Sequence, residues 1–314
     1  MATTLARPHL SDGGGGRATV LVVGGPRPPL STRADPEHPR ALLKSLIWSR
    51  RDREPSQPQV FGRPARIPEG MCVYAVGDIH GRRDLLAETH DLIARDAARL
   101  PPDTEKVVVY VGDYVDRGLE SRQVIDDLLD RPLRGFRSVH LLGNHDAWLL
   151  GFLDDATIGP SWVRYGGDTT LLSYGVQMSV VPADREPVEW LQQELRVRLP
   201  ARHRAFIERL KLTAVIGDYL FVHAGVRPGV PIEQQHPDDL IWIREPFLKW
   251  KGSIGKVVVH GHTVQSEPEV RPNRIGIDTG ACWTGHLTTL VLEGAFHRFL
   301  MTGAGPELGA DRPP

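Results

Sequence analysis

Asp78, His80, Asp113, Asn144, His223 and His262 each follow a short apolar run. Each sits within a few residues of a glycine. The segments are Gly77-Asp78-Ile79-His80-Gly81, Gly112-Asp113, Gly143-Asn144-His145-Asp146, His223-Ala224-Gly225 and His260-Gly261-His262-Thr263; Asp278-Thr279-Gly280 closes a sixth run. Two aspartates, three histidines and an asparagine offer oxygen and nitrogen donors with no thiolate. That set suits Mn, Fe, Zn or similar ions rather than Cu(I) or iron–sulfur clusters. Asp113 has two carboxylate oxygens and can bridge two ions, and a closely spaced ion pair is the usual arrangement for in-line phosphoryl chemistry. Arg117, in Asp116-Arg117-Gly118, carries a planar fork that matches phosphate oxygens.

These residues need elements that bring them to one place. MCVYAV, KVVVYV, SVHLL, YLFV, KVVV and RIGI are mostly β-branched runs of strand length. Helical patterns fall between some of them, notably DLLAETHDLIARDAARL and SRQVIDDLLD. Strands alternating with helices predict an α/β domain. In such sheets ligands sit outside the carboxyl ends of the strands, where glycines allow sharp turns and close approach. Six strands delivering Asp, His, Asn and Arg to one edge predict a single polar site. His90, His140, His203, His236, His286 and His297 stand in no ligand pattern and read as structural or solvated.

The chain has 314 residues, 40% hydrophobic and 25% charged, with a net charge of −1. This balance gives no sign of a nucleic-acid binder. No apolar run approaches the ~18–20 residues of a membrane helix. The N-terminal residues lack the apolar core of a signal peptide, so a cytoplasmic protein is expected. Cys72 and Cys282 are expected to be free thiols. Residues 1–64 are basic and rich in proline and glycine, and are expected to form a disordered arm. Within it, ALLKSLIWSRR (41–51) reads as a fraying, solvated turn or as a short helix for weak contact with a partner or membrane surface. The domain is expected over 65–301, with a disordered tail over 302–314.

GDIHG, GDYVDRG, GNHD, HAG, IWIRE and HGHT together resemble the phosphoprotein phosphatase branch of the calcineurin-like metallophosphoesterases. The likeness covers about residues 70–295 and is nearest to the small bacterial and phage lambda-type serine/threonine protein phosphatases. It implies a four-layer sandwich of two mixed β-sheets flanked by helices, with metals at the C-terminal ends of strands. By position it implies Asp78 and His80 on a first metal, Asp113 bridging, and Asn144, His223 and His262 on a second. The two divalent ions are expected to be Mn²⁺, with Fe or Zn as alternatives. Arg117 and Arg244 match the phosphate-binding arginines, His145 the general acid, and Asp116 the carboxylate that orients it. The implied reaction is in-line attack by a metal-bridging hydroxide on a phosphoprotein or a small phosphate ester. Asp146 stands where the protein phosphatases usually have Glu. GNHD also occurs in symmetrical bis(5'-nucleosyl)-tetraphosphatases, so a nucleotide phosphohydrolase is the alternative reading and a non-catalytic scaffold a remote one. The segment of about 150–212 is expected to cap the site, with Trp162 and Tyr165 either shaping substrate choice or packing the cap.

Overall fold

The computed structural model describes residues 57–180, 182 and 185–303. In chain order the elements are β1 Gln59–Val60, β2 Arg63–Pro64, β3 Met71–Val76, α1 Arg83–Ala97, β4 Glu105–Tyr110, α2 Ser121–Asp130 and β5 Phe136–His140. A helical stretch follows, with α3 Asn144–Asp154, α4 Gly159–Trp162, α5 Asp168–Ser173, α6 Pro187–Arg198 and α7 Ala201–Glu208. The chain then returns to strands in β6 Thr213–Ile216, β7 Tyr219–Val222, α8 Pro237–Trp242, β8 Val257–His260, β9 Glu269–Arg271, β10 Arg274–Gly276, α9 Ala281–Thr284, β11 Thr288–Glu293 and β12 Phe296–Met301.

Two five-stranded sheets result, ordered β12-β11-β3-β4-β5 and β6-β7-β8-β10-β9. β3, β4 and β5 are parallel, and the β11–β12 hairpin adds to β3 antiparallel, so Tyr74 lies opposite both Val108 and Val291. In the second sheet β7, β8 and β10 are parallel. The alternation of side chains along a strand splits each apolar run between two cores. Met71, Val73, Ala75, Val107, Val109, Tyr219 and Phe221 fill the space between the sheets. Cys72, Tyr74, Val76, Val108, Tyr110, Leu220 and Val222 face the helices. A strand buried on both sides must read as a continuous apolar run, and MCVYAV does. α1 buries Leu85, Leu86, Thr89, Ile93 and Ala97, one stripe at helical spacing, against this outer face. Leu85, Leu86 and Ile93 each contribute about 1.5–3 kcal/mol by leaving water.

The layers are therefore helix, sheet, sheet, helix, as the sequence implied. The arm boundary is corrected. Residues 59–64 form the β1–β2 hairpin, which buries Val60 and docks through Gln59 N–H on the Pro272 carbonyl at 2.8 Å. Arg63 pairs with Asp218 at 2.6 Å. This contact lies 155 residues away in sequence, so no local pattern announces it. Segment 41–51, and the tail from 304 onward, lie outside the described residues. At the other end Thr302 is buried, two of its contacts being with Gly285 and Leu287.

The segment expected to cap the site is helical. Pro200 separates α6 from α7 because proline cannot continue the first helix. α6 and α7 pack on α3, Gln192 donating to the Phe152 carbonyl at 2.6 Å. Within the segment, the stretch around 162–170 reaches the strand-end residues described next.

Candidate metal and phosphate site

The loops after β3, β4, β5, β7, β8 and β10 meet at one edge of the two sheets. Holding short polar loops this close strains the backbone. Among the described residues six non-glycines have positive φ, and five of them are His80, Asp113, Asp116, Arg117 and His262. Such conformations cost of order 1–3 kcal/mol each and persist where the surroundings over-determine them. Gly143 allows one very close approach. A Cβ there would lie 2.1 Å from Asp113 Oδ1.

Asp146, to which the sequence reading gave no role, makes this approach possible. Its Oδ2 accepts from the Asp113 and Gly143 backbone N–H groups at 2.8 and 3.0 Å, and its Oδ1 accepts from Tyr114 N–H at 3.0 Å. One short carboxylate thus ties the loop after β4 to the loop after β5. Burial still dominates its titration and pushes its carboxyl up to about 8.

The expected site residues are brought together, with His145 grouped beside His80 and Asp78 standing beside the second group. Donor atoms of His80, Asp113 and His145 lie within 4.8 Å of one another, as do those of Asp113, His223 and His262. Asp113 is common to both groups, 3.3 Å from His80 Nε2 and 3.4 Å from His223 Nε2. Asp78 stands beside the second group, its Oδ2 accepting from His262 N–H at 3.0 Å. Asn144 Oδ1 lies 2.9 Å from both His223 Nε2 and His262 Nδ1. Asp278, quoted above without a role, is buried alongside and raises the Asp78 carboxyl electrostatically.

The hydrogen bonds fix which nitrogens carry lone pairs. His80 Nδ1 faces the Val115 carbonyl at 2.9 Å and His223 Nδ1 the Val111 carbonyl at 3.0 Å. A carbonyl only accepts, so each Nδ1 carries the proton and each Nε2 turns a lone pair toward Asp113. Asp78 Oδ1 and His262 Nε2 are buried without a hydrogen-bond partner. Burial pushes Asp78 well above the usual carboxylate range and Asp113 up to about 7, and it lowers His223 to about 3. Lone pairs converging in a buried place, with carboxylates that resist ionisation there, are what a bound divalent cation reverses. The residues present fit such ions.

A second constellation adjoins it. His145 Nδ1 lies 2.7 Å from Asp116 Oδ2, and both residues are buried. Asp116 is itself held. Trp162 Nε1 donates to Oδ2 at 2.8 Å and Thr170 Oγ1 to Oδ1 at 2.6 Å. Burial raises its carboxyl, while these two bonds pull it back. Trp162 is fully buried, so its indole faces Asp116 and takes no part in shaping an open cleft. Tyr165 is half-buried and stacks on Trp148, with ring centroids 5.6 Å apart. Thr170 was invisible to motif reading, since a threonine 54 residues from its partner carries no local signal.

Arg117 reaches both constellations. Nη1 lies 2.5 Å from His80 Nε2 and Nη2 3.0 Å from His145 Nε2. A guanidinium only donates, so His145 Nε2 accepts and its Nδ1–H points to Asp116. Arg244 donates to the His262 carbonyl at 3.0 Å and to Thr263 Oγ1 at 3.1 Å, across the site from Arg117.

The profile of the calcineurin-like phosphoesterases matches residues 71–281. The chain belongs to this family. It is a hydrolase acting on phosphoric ester bonds, and the metal-ligand clusters lie where its parallel strands end. Among curated proteins it is similar to the bis(5'-nucleosyl)-tetraphosphatase PrpE [asymmetrical] of Anoxybacillus flavithermus. The two are 26% identical over 243 residues, 70% of this chain and 90% of that protein. The protein of that name from Geobacillus thermodenitrificans is 28% identical over 247 residues, with the same coverage. Solved structures that resemble it include a putative diadenosine tetraphosphatase, with a TM-score of 0.49 and 22% identity over 80% of this chain and 100% of that one. A metallophosphoesterase from Sphaerobacter thermophilus has a TM-score of 0.41 and 18% identity, covering 74% and 87%.

Among the described residues, the six histidines outside the motifs lie elsewhere. His90 bonds the Tyr110 hydroxyl at 2.7 Å, His140 stacks on the Tyr110 ring at 4.9 Å, and His203 lies between Tyr174 and Asp126. His236 Nδ1 caps α8, and His286 donates to the Thr302 carbonyl at 2.8 Å. His297 pairs with the Phe299 ring. Both cysteines are free. No described helix is long and apolar enough to cross a membrane.

Proposed function

We propose that this site removes phosphate from substrates whose leaving oxygen is strongly basic, a phosphoserine or phosphothreonine side chain being the leading case. The Asp116–His145 contact carries this reading. A leaving alkoxide must be protonated as it departs, and a histidine backed by a buried carboxylate is suited to that task. Arg117 and Arg244 grip the equatorial phosphate oxygens through charge-assisted hydrogen bonds. Arg117 now donates to His145 Nε2. Turning that guanidinium onto phosphate frees Nε2 to take up the proton it later delivers, and Asp116 stabilises the resulting imidazolium. Two divalent ions, Mn²⁺ in this proposal, would be held by Asp78, His80, Asp113, Asn144, His223 and His262; when bound they acidify water and neutralise phosphate charge.

A second reading, hydrolysis of a dinucleoside tetraphosphate, is supported by the names of the curated relatives. One experiment separates the two. Phosphate release is followed from phosphoserine peptides, diadenosine tetraphosphate and p-nitrophenyl phosphate, with Mn²⁺ added. Turnover of the peptides well above the dinucleotide supports the first reading, and the reverse order replaces it by the second. Turnover of none of them overturns both.

A further inference from the structure

Trp283 stands on the rim of the site without the packing that a tryptophan usually has. It is 51% exposed. One face of its indole lies under the Arg117 guanidinium, with Cζ 4.7 Å from the ring centroid. The Arg117 main chain is packed against Gly166, whose carbonyl accepts Arg117 N–H at 3.1 Å. A Cβ on Gly166 would come within 2.8 Å of the Arg117 backbone nitrogen and Cγ. The base of the arginine is thus fixed while its guanidinium lies over an open aromatic ring.

The ring is presented by a braced turn. α9 begins and ends on the left-handed glycines Gly280 and Gly285. Gly280 N–H donates to Asp278 Oδ1 at 2.9 Å, Thr284 Oγ1 donates back to the Thr279 carbonyl at 3.0 Å, and Arg82 holds the Ala281 carbonyl at 3.0 Å. An indole fixed this way loses little freedom when something stacks on it. Exposing so large an apolar surface costs solvation, and a partner ring would recover it.

We propose that Trp283 is a stacking platform for a nucleobase, one ribose away from a phosphate held by Arg117. A base offers a π-face to an aromatic ring whatever its sequence identity, whereas a serine phosphopeptide offers no ring at that distance. The assignment rests on the nucleotide reading of the site and names the residue that would select for it.

The test uses the full-length protein with Mn²⁺ and titration calorimetry. Adenosine monophosphate is compared with ribose 5-phosphate, which has the same phosphate and sugar but no base. The base should tighten binding by roughly five- to 150-fold, the size of one base–aromatic stack. That ratio should collapse toward one in Trp283→Ala and be largely kept in Trp283→Phe. Equal affinities in the wild-type protein overturn the proposal with no variant needed, as does a ratio that survives in Trp283→Ala. Failure to hydrolyse diadenosine tetraphosphate would instead remove the nucleotide reading, and it is measured separately.

Discussion

Asp116 Oδ2 accepts two hydrogen bonds, from His145 Nδ1 at 2.7 Å and from the Trp162 indole at 2.8 Å. Three buried side chains separated by up to 46 residues are thereby tied together through one carboxylate oxygen. If His145 is the proton donor, His145→Asn should discriminate among leaving groups. On a phosphoserine peptide the loss should be the ~10²–10⁴-fold typical of general acid–base catalysis. On p-nitrophenyl phosphate, whose phenolate leaves unaided, it should be much smaller. Asp116→Asn and Trp162→Phe should show the same pattern more weakly, because they act through the imidazole. Equal losses on both substrates would take the acid role away from His145.

Asp113 joins both donor groups, so Asp113→Asn should reduce tightly bound Mn²⁺ as well as activity. His203→Gln, which disturbs hydrogen bonds to Tyr174 and Asp126 away from the site, should leave metal content near that of the wild type. Metal analysis after gel filtration reads this directly. Exhaustive chelation should remove activity and Mn²⁺ should restore it. Full turnover by protein shown to be metal-free would end the metal assignment.

The β1–β2 hairpin moves the point at which truncation becomes harmful. Removing residues 1–56 should leave turnover of a small aryl phosphate within about twofold. Removing 1–64 also deletes buried Val60 and the Arg63–Asp218 pair. The larger truncation should lower stability by about 1–3 kcal/mol, mostly from the lost apolar burial and the hydrogen bonds that go with it. Urea midpoints of the two truncated proteins decide it, and identical midpoints would mean that the hairpin is dispensable.

His90 supplies a pH dependence away from the site. Burial lowers it to about 4, against the pull of Asp127 and Asp91, while in the unfolded chain it titrates near 6.5. Between those values the unfolded chain binds the proton and the folded one does not. Its contribution is therefore complete above about pH 6.5 and is lost as pH falls toward 4, by up to about 3 kcal/mol. Stability of the wild type should fall more steeply from pH 7.5 to 5 than that of His90→Gln, since the other titrating groups are common to both. Parallel pH profiles would contradict this.

The sequence by itself determined the family and the six strands that carry the site. MCVYAV and YLFV are apolar at every position, and KVVVYV at all but its first, because both faces of these strands are buried, and that pattern needs no partner to be read. The residues ending those strands were legible for a similar reason, since a glycine beside Asp or His at a strand end is a local chemical signature. β1, β2, β6, β9 and β12 went unread, being very short or at sheet edges; β11 also went unread, although it is buried and interior. Only the tertiary structure decided that Thr170 and Trp162 hold Asp116, that Asp146 ties two loops together, that Arg63 reaches Asp218, and that Trp283 stands open beside Arg117. Each is a contact between segments distant in the chain, set by how the sheets and the helical layer pack. Side-chain type and spacing record what a segment can do locally, and packing decides which distant group it meets.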